Sequence, residues 1–164
     1  MDVLKYRNAG FSLVELVIII SIISILATVA LMKLPSAPAV NAYGQAEQLA
    51  TDIRYTQALS INTNQRHYLQ ISGSTYQVIN AVTSTPIMLS KGSTTVTLGS
   101  GISFGALTAL PSSLIQFDNF GTPYTTSTPT SGTPLTTQAS IPVKGASSTA
   151  TVTIQPETGT VAIQ

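Results

Sequence analysis

One carboxylate in this sequence stands alone among apolar residues. Between Phe11 and Met32 the only ionisable side chain is Glu15, and the run from Leu16 to Met32, LVIIISIISILATVALM, has two Ser and one Thr as its only polar side chains. A carboxylate deep in hydrocarbon costs several kcal/mol unless it is paired or neutralised, so an acid in that setting is a candidate functional group. The chemistry it offers is electrostatic: a fixed anion that needs a cation. The rival reading is an acid at a membrane interface that snorkels to water. Ahead of it lie Asp2, Lys5 and Arg7, then the pair Gly10-Phe11.

Elsewhere reactive side chains are sparse. The absence of Cys excludes a disulfide framework, a thiolate metal site and a cysteine nucleophile. The single His, His67, has no Cys or second His to join it in a metal site. The acids Glu47, Asp52, Asp118 and Glu157 form no cation-loop spacing, and Asp118-Asn119 reads as a turn whose side chains bond the backbone. No Gly-x-Ser-x-Gly elbow is present. Neither an enzyme nor a cofactor is expected. Seven basic and six acidic residues leave a net charge of +1, which excludes a nucleic-acid binder working by bulk attraction. Only 8% of residues are charged, so polarity rests on the hydroxyls of 43 Ser and Thr.

The elements that must position these groups follow from the hydropathy pattern. A chain of 164 residues suggests one domain with attachments. Phe11 to Leu34 spans 24 residues, roughly 36 Å of helix at about 1.5 Å per residue, against a hydrocarbon core of about 30 Å. Two readings compete for it. A secretory signal peptide has an apolar region of about 7–15 residues; this run is longer and contains Glu15. A retained anchor accounts for both features, and Lys5 and Arg7 then hold the N-terminus in the cytoplasm.

The prolines of Leu34-Pro35-Ser36-Ala37-Pro38 mark a break after the anchor. A helix pattern follows over roughly Ala42 to Asn62, with Ala46, Leu49, Ala50 and Ile53 forming an apolar stripe and Glu47, Asp52 and Arg54 lying off it. From Arg66 onward the pattern turns to short β runs: His67–Ser72, Thr75–Val82, Pro86–Leu89, Thr94–Leu98, Ser113–Asp118, Ser140–Val143, Thr149–Gln155 and Thr160–Ile163. Gly121–Gln138, dense in Thr, Pro and Gly, reads as a long surface loop or extended edge. The fold class is α+β: a long hydrophobic N-terminal helix, then a globular domain of a short helix packed on antiparallel β-sheet.

The start, Gly10-Phe11-Ser12-Leu13-Val14-Glu15-Leu16, resembles the class III signal of the type IV pilin superfamily: a short basic leader, Gly-Phe, a Glu five residues into the mature chain, then an apolar helix. The resemblance implies that a prepilin peptidase cuts between Gly10 and Phe11 on the cytoplasmic side and methylates the new amine of Phe11. That amine, on a neighbouring subunit, would neutralise Glu15 and set the axial register of a filament. Residues 1–10 are then a leader, 11–34 a transmembrane and assembly helix, and 35–164 an exported domain. Five basic and five acidic residues remain in the mature chain beside the new amine.

The later sequence is similar to the GspH/FimT family of minor pseudopilins and minor pilins. The similar segments are the helix Ala46–Ile61, the strands around Tyr68–Ile71 and Tyr76, the Phe-x-x-x-Gly-x-Pro segment from Phe117 through Gly121 to Pro123, and the closing hairpin Thr151–Val161. Some departures stand out. No Pro precedes Pro35 in the anchor, unlike many major pilins, and there is no Cys pair. Some pilus members of the family bind DNA through a Gly-Arg-x-Arg end, but the matching Gly159-Thr160-Val161-Ala162 has no Arg, and the only cations after Arg66 are Lys91 and Lys144. DNA is therefore not expected as a partner.

The resemblance implies a structural subunit of a type II secretion pseudopilus or a type IV pilus, with a DNA-uptake or adhesive minor pilin as the alternative. Its implied partners are the prepilin peptidase, other pilin or pseudopilin subunits, the inner-membrane assembly platform and secreted cargo. Its implied location is the bacterial inner membrane, single-pass, with the C-terminal domain periplasmic.

Overall fold

The computed structural model describes residues 12–33, 37–89 and 92–164. The chain divides into two units, Met1–Pro35 and Ser36–Gln164. In the first, helix α1 runs over Leu13–Lys33, 21 residues. Its large side chains, Leu13, Val14, Leu16 to Ile20, Ile22, Ile23, Ile25 and Leu26, are all exposed, so no one face is set apart as a core stripe. The Ser21 and Ser24 hydroxyls donate back to the carbonyls of Val17 and Ile20, both at 2.7 Å, and so need no outside acceptor. Side chains of α1 are described as far as Ala27. Among the described residues no helix is long and apolar enough to cross a membrane.

The second unit opens with α2, Ala37–Thr63, 27 residues. The sequence pattern places its start near Ala42, but the helix begins earlier and is long rather than short. Pro38 falls in the first turn, where the missing N–H has no helical acceptor to lose. The expected break through Pro35 and Pro38 is therefore not met from Ala37 onward, which is helical, and its first part, residues 34–36, lies outside the described residues. At the other end Asn64 takes a left-handed backbone (φ 54°), a common helix terminator. Ala42, Ala46, Leu49, Ala50, Ile53, Thr56 and Ser60 are buried, a stripe three and four residues apart. The hydroxyls on it are satisfied within the helix: Thr56 donates to the Asp52 carbonyl at 2.7 Å and Ser60 to the Thr56 carbonyl at 3.0 Å.

Nine strands follow among the described residues: β1 His67–Ser72, β2 Thr75–Asn80, β3 Thr95–Thr97, β4 Ser103–Phe104, β5 Leu114–Phe117, β6 Pro123–Tyr124, β7 Ala139–Lys144, β8 Thr149–Ile154 and β9 Val161–Ile163. They form two antiparallel sheets, β3-β2-β1-β5-β6 and β4-β7-β8-β9. Alternation places Leu69, Ile71, Tyr76 and Val78 inward from the first sheet and Ile141, Val143, Val152 and Ile154 inward from the second, around Leu49 and Ile53 of α2. The expected strand Pro86–Leu89 is reduced to a single bridge between Ile79 and Pro86, because Pro86 has no N–H to extend a ladder.

One residue of α2 contradicts the sequence pattern. Asp52, placed off the stripe, is buried, and its Oδ2 accepts a 2.6 Å hydrogen bond from the Tyr76 hydroxyl. Gln48 Nε2 lies 3.1 Å from both carboxylate oxygens. Burial, then the Asp52 hydrogen bond and charge, push the Tyr76 phenol far above its ordinary range, so the ring keeps its proton as donor. The same ring meets Phe104 edge-on at 6.4 Å. Tyr76→Phe keeps the ring and strips the buried carboxylate of a donor. It is expected to destabilise the domain by about 1–3 kcal/mol, read as a lowered urea midpoint with an unchanged m-value.

Candidate functional site

Gly10 and Phe11 lie outside the described residues. Glu15 is described, exposed in the first turn of α1. Ser12 precedes the helix, and its carbonyl accepts the Leu16 N–H at 3.1 Å. Ser12 and Glu15 thus stand at N-cap and third helical position, the Ser-x-x-Glu pattern of a capping box. A carboxylate there also meets the positive end of the helix dipole. The isolated anion of the sequence thus also has a Ser three residues before it, a spacing that the sequence itself carries.

In the second unit the structure brings together two separately flagged segments. Asp118 forms the expected turn: its Oδ1 accepts from the Phe120 and Thr122 amides, both at 2.9 Å, and its Oδ2 from the Tyr124 hydroxyl at 3.2 Å. Gly121 closes that turn with a φ of 84°, in the left-handed region. The closing hairpin turns at Gly159, with a φ of 66°. Gln57 of α2 joins them, its Nε2 donating to the carbonyls of Gly121 and Thr158, each at 2.9 Å. The approach is close: a Cβ on Gly159 would stand 2.6 Å from Gln57 Nε2 and 2.9 Å from the Gly121 oxygen. Nearby, the exposed Arg54 donates from Nη2 to the Val161 carbonyl at 2.9 Å.

The Thr/Pro-rich segment Gly121–Gln138 is more ordered than a solvated connection. It begins with edge strand β6, and the fully buried Gln116 grips its middle by donating to the Thr128 carbonyl and accepting the Thr128 N–H at 2.9 Å. Leu135 is buried, its amide bonded to the Pro123 carbonyl at 2.9 Å. No periodicity signals a side-chain amide that stands in for a strand partner, so neither the half-buried Gln57 nor the buried Gln116 was legible in the sequence.

His67 is a structural histidine. It is buried at the start of β1, its Nδ1 2.9 Å from the Gln65 carbonyl and its Nε2 3.2 Å from Asn80 Nδ2. Asn80 Nδ2 also donates to Gln65 Oε1 at 2.7 Å. This network assigns the neutral tautomer with hydrogen on Nδ1. The other candidate acids are dispersed: Glu47 and Glu157 are exposed, Asp52 faces Tyr76, and Asp118 caps its own turn. Among the described residues no group of three His, Cys, Asp or Glu could hold a metal ion.

The class these features define is an α+β domain of one long helix on two antiparallel sheets, preceded in sequence by an apolar helix with an isolated acid in its first turn. Residues 5–31 match the prokaryotic N-terminal methylation motif, a stretch that includes Gly10, Phe11 and Glu15. The fold is that of a minor pseudopilin. One structure of the minor pseudopilin EpsH from the type 2 secretion system of Vibrio cholerae aligns at a TM-score of 0.55 and 17% identity, over 76% of this chain and 96% of that one. A second structure of EpsH from the same system aligns at 0.56 and 11% identity, over 76% of this chain and 95% of that one. At these identities the likeness is one of fold. No curated protein matches this chain by sequence. Motif and fold together support a GspH-like minor pseudopilin.

Burial lowers the His67 pKa below its ordinary 6.5, against a smaller opposing effect of the Gln65 carbonyl. The unfolded chain therefore takes up a proton near pH 6.5 while the folded one does not. Stability is full above that pH and falls as the pH drops from it toward the lowered folded value, by up to about 1.4 kcal/mol per unit. Urea midpoints measured between about pH 8 and 5 are expected to show this slope, and His67→Gln to flatten it. In a separate test, Gly159→Ala is expected to cost at least about 1 kcal/mol, from a left-handed backbone and the collision with Gln57, read as a lowered melting temperature.

Proposed function

We propose that this chain is a minor pseudopilin or minor pilin, a structural subunit of a type II secretion pseudopilus or a type IV pilus rather than an enzyme. One coincidence carries the reading: the methylation motif over residues 5–31 stands in the same chain as a domain with the EpsH fold. The prepilin peptidase cuts between Gly10 and Phe11 on the cytoplasmic side and methylates the Phe11 amine. The helix that follows is the single-pass inner-membrane anchor, and the second unit is periplasmic.

The physical support comes from α1. A helix apolar on every side needs lipid or other helices around it, and its self-bonded Ser21 and Ser24 hydroxyls suit both settings. On leaving lipid for a bundle, such a helix exchanges one apolar contact for another, so its apolar surface contributes little net drive. The pairing of Glu15 with the Phe11 amine of a neighbouring subunit supplies the preference for the assembled state. The assembly platform inserts the subunit, and the periplasmic domain presents surfaces to other subunits and to cargo.

Two measurements test this. Mass spectrometry of the mature protein is expected to find methylated Phe11 at the N-terminus; a mature end near Val40 would mean an ordinary signal peptide and a free domain. Glu15→Gln separates the two roles of that side chain, because Gln preserves the capping pattern and removes the charge. Cleavage is expected to proceed while crosslinking of the variant into filaments is lost. Normal incorporation of Glu15→Gln would reduce Glu15 to a helix-start residue.

A further inference from the structure

A pocket of about 310 Å³ opens beyond the C-terminal end of α2. Its walls come from Asn64 and Arg66 between α2 and β1, Val82 after β2, Asn119 in the Asp118 turn, and Pro129-Thr130 of the segment that Gln116 grips. Chain segments far apart in sequence thus converge on one cation. The Arg66 guanidinium lies over the Tyr124 ring, 4.4 Å from its centroid, which holds the fork in one plane. Its Nη1 is buried and has no hydrogen-bond partner. Asp118 keeps its charge but directs its oxygens elsewhere, to two backbone amides and the Tyr124 hydroxyl. Arg66 is thus a half-buried cation lining an open pocket, and in a chain with 8% charged residues that is a costly feature to carry without a counter-charge.

We propose that the Arg66 pocket binds a carboxylate carried by a partner protein. A stacked guanidinium offers a planar fork of N–H donors that matches a carboxylate in two-point geometry. The rest of the lining is neutral: Asn119 Nδ2 donates to Asn64 Oδ1 at 2.9 Å, and Thr130 is an exposed hydroxyl. One positive charge among amides suits one negative charge, which disfavours a doubly charged phosphate. The surroundings argue for a protein as the bearer. Val82 in the lining is 54% exposed, and Phe120, next in sequence to Asn119, is 82% exposed. An arginine beside exposed apolar and aromatic side chains is the composition at which protein interfaces concentrate their binding energy. The bearer is an acidic side chain or a chain terminus, and both present the same group. This inference goes beyond the proposed function and is independent of it, needing only the folded second unit.

The test follows the Arg66 Nε–H resonance of the full chain in detergent micelles during titration at constant ionic strength. Three probes are used: N-acetylglutamate α-amide for a side-chain carboxylate, N-acetyl-leucine for a terminal one, and inorganic phosphate. A saturable shift of Arg66, Asn119 and Thr130 is expected with a carboxylate and a weaker response with phosphate; the carboxylate that saturates first identifies the bearer. Arg66→Gln is expected to abolish the response. Thr130→Glu, at an exposed site that leaves the fold alone, is expected to weaken it at least tenfold by placing a rival carboxylate at the pocket, and this variant decides the matter should Arg66→Gln fail to fold. Absence of saturation, persistence in Arg66→Gln, indifference to Thr130→Glu, or tighter binding of phosphate than of either carboxylate would each overturn the proposal.

Discussion

The second unit is held together by a helix that two sheets have to share. Among the described residues no strand ladder joins β3-β2-β1-β5-β6 to β4-β7-β8-β9, and α2 packs against β1 and β5 of the first and β7, β8 and β9 of the second. Its buried stripe is built mostly from small residues, Ala42, Ala46, Ala50, Thr56 and Ser60, with Leu49 and Ile53 as the large ones. Small side chains let both sheets come close to the helix axis, while Leu49 and Ile53 fill the space between them. Enlarging the stripe would therefore separate the sheets from the helix, and thinning it would leave a cavity between layers.

A shared helix also has to fix the rotation of each sheet about it, which apolar contact alone does poorly. Three polar side chains of α2 do so here. Asp52 reaches β2 through Tyr76, Arg54 reaches β9 through the Val161 carbonyl, and Gln57 reaches the Gly121 and Thr158 carbonyls at once. They lie within six residues, on less than two helical turns, and touch both sheets. Directional bonds of this kind add modestly to stability, but each mispacked arrangement would leave a buried polar atom bare, and that asymmetry is what selects one docking.

This division between apolar and polar work explains what was legible in the sequence. Strand β1 could be read at its true limits, His67–Ser72, because inward Leu69 and Ile71 alternate with outward Tyr68 and Gln70. The α+β class and the helix stripe were legible for the same reason, since they rest on periodicity. Strands β4 and β6 are two residues long and have no period to detect. Asp52 lies off the apolar stripe and Gln116 has no apolar pattern to mark it, because a polar side chain is normally at the surface; their burial depends on partners 24 and 12 residues away. The Thr/Pro-rich segment looked like a loose connection for a related reason. Its order comes from Gln116 and Leu135, neither of which carries a strand or helix signal.

The first unit shows the opposite economy. Nearly all of α1 that is described is apolar, so its few polar groups have to be satisfied within reach of the helix itself. Ser21 and Ser24 turn back onto carbonyls four residues earlier. At the N-terminus the leading amides have no helical acceptor, and in an apolar setting water is not there to supply one. Ser12 and Glu15 stand where a hydroxyl and a carboxylate can meet that need. In the proposed assembly the same carboxylate also faces the amine of a neighbour, and the two demands are compatible because a carboxylate has two oxygens and room for several donors. Were α1 to begin inside hydrocarbon and pack among other helices, as proposed, one acid at this position would serve both tasks.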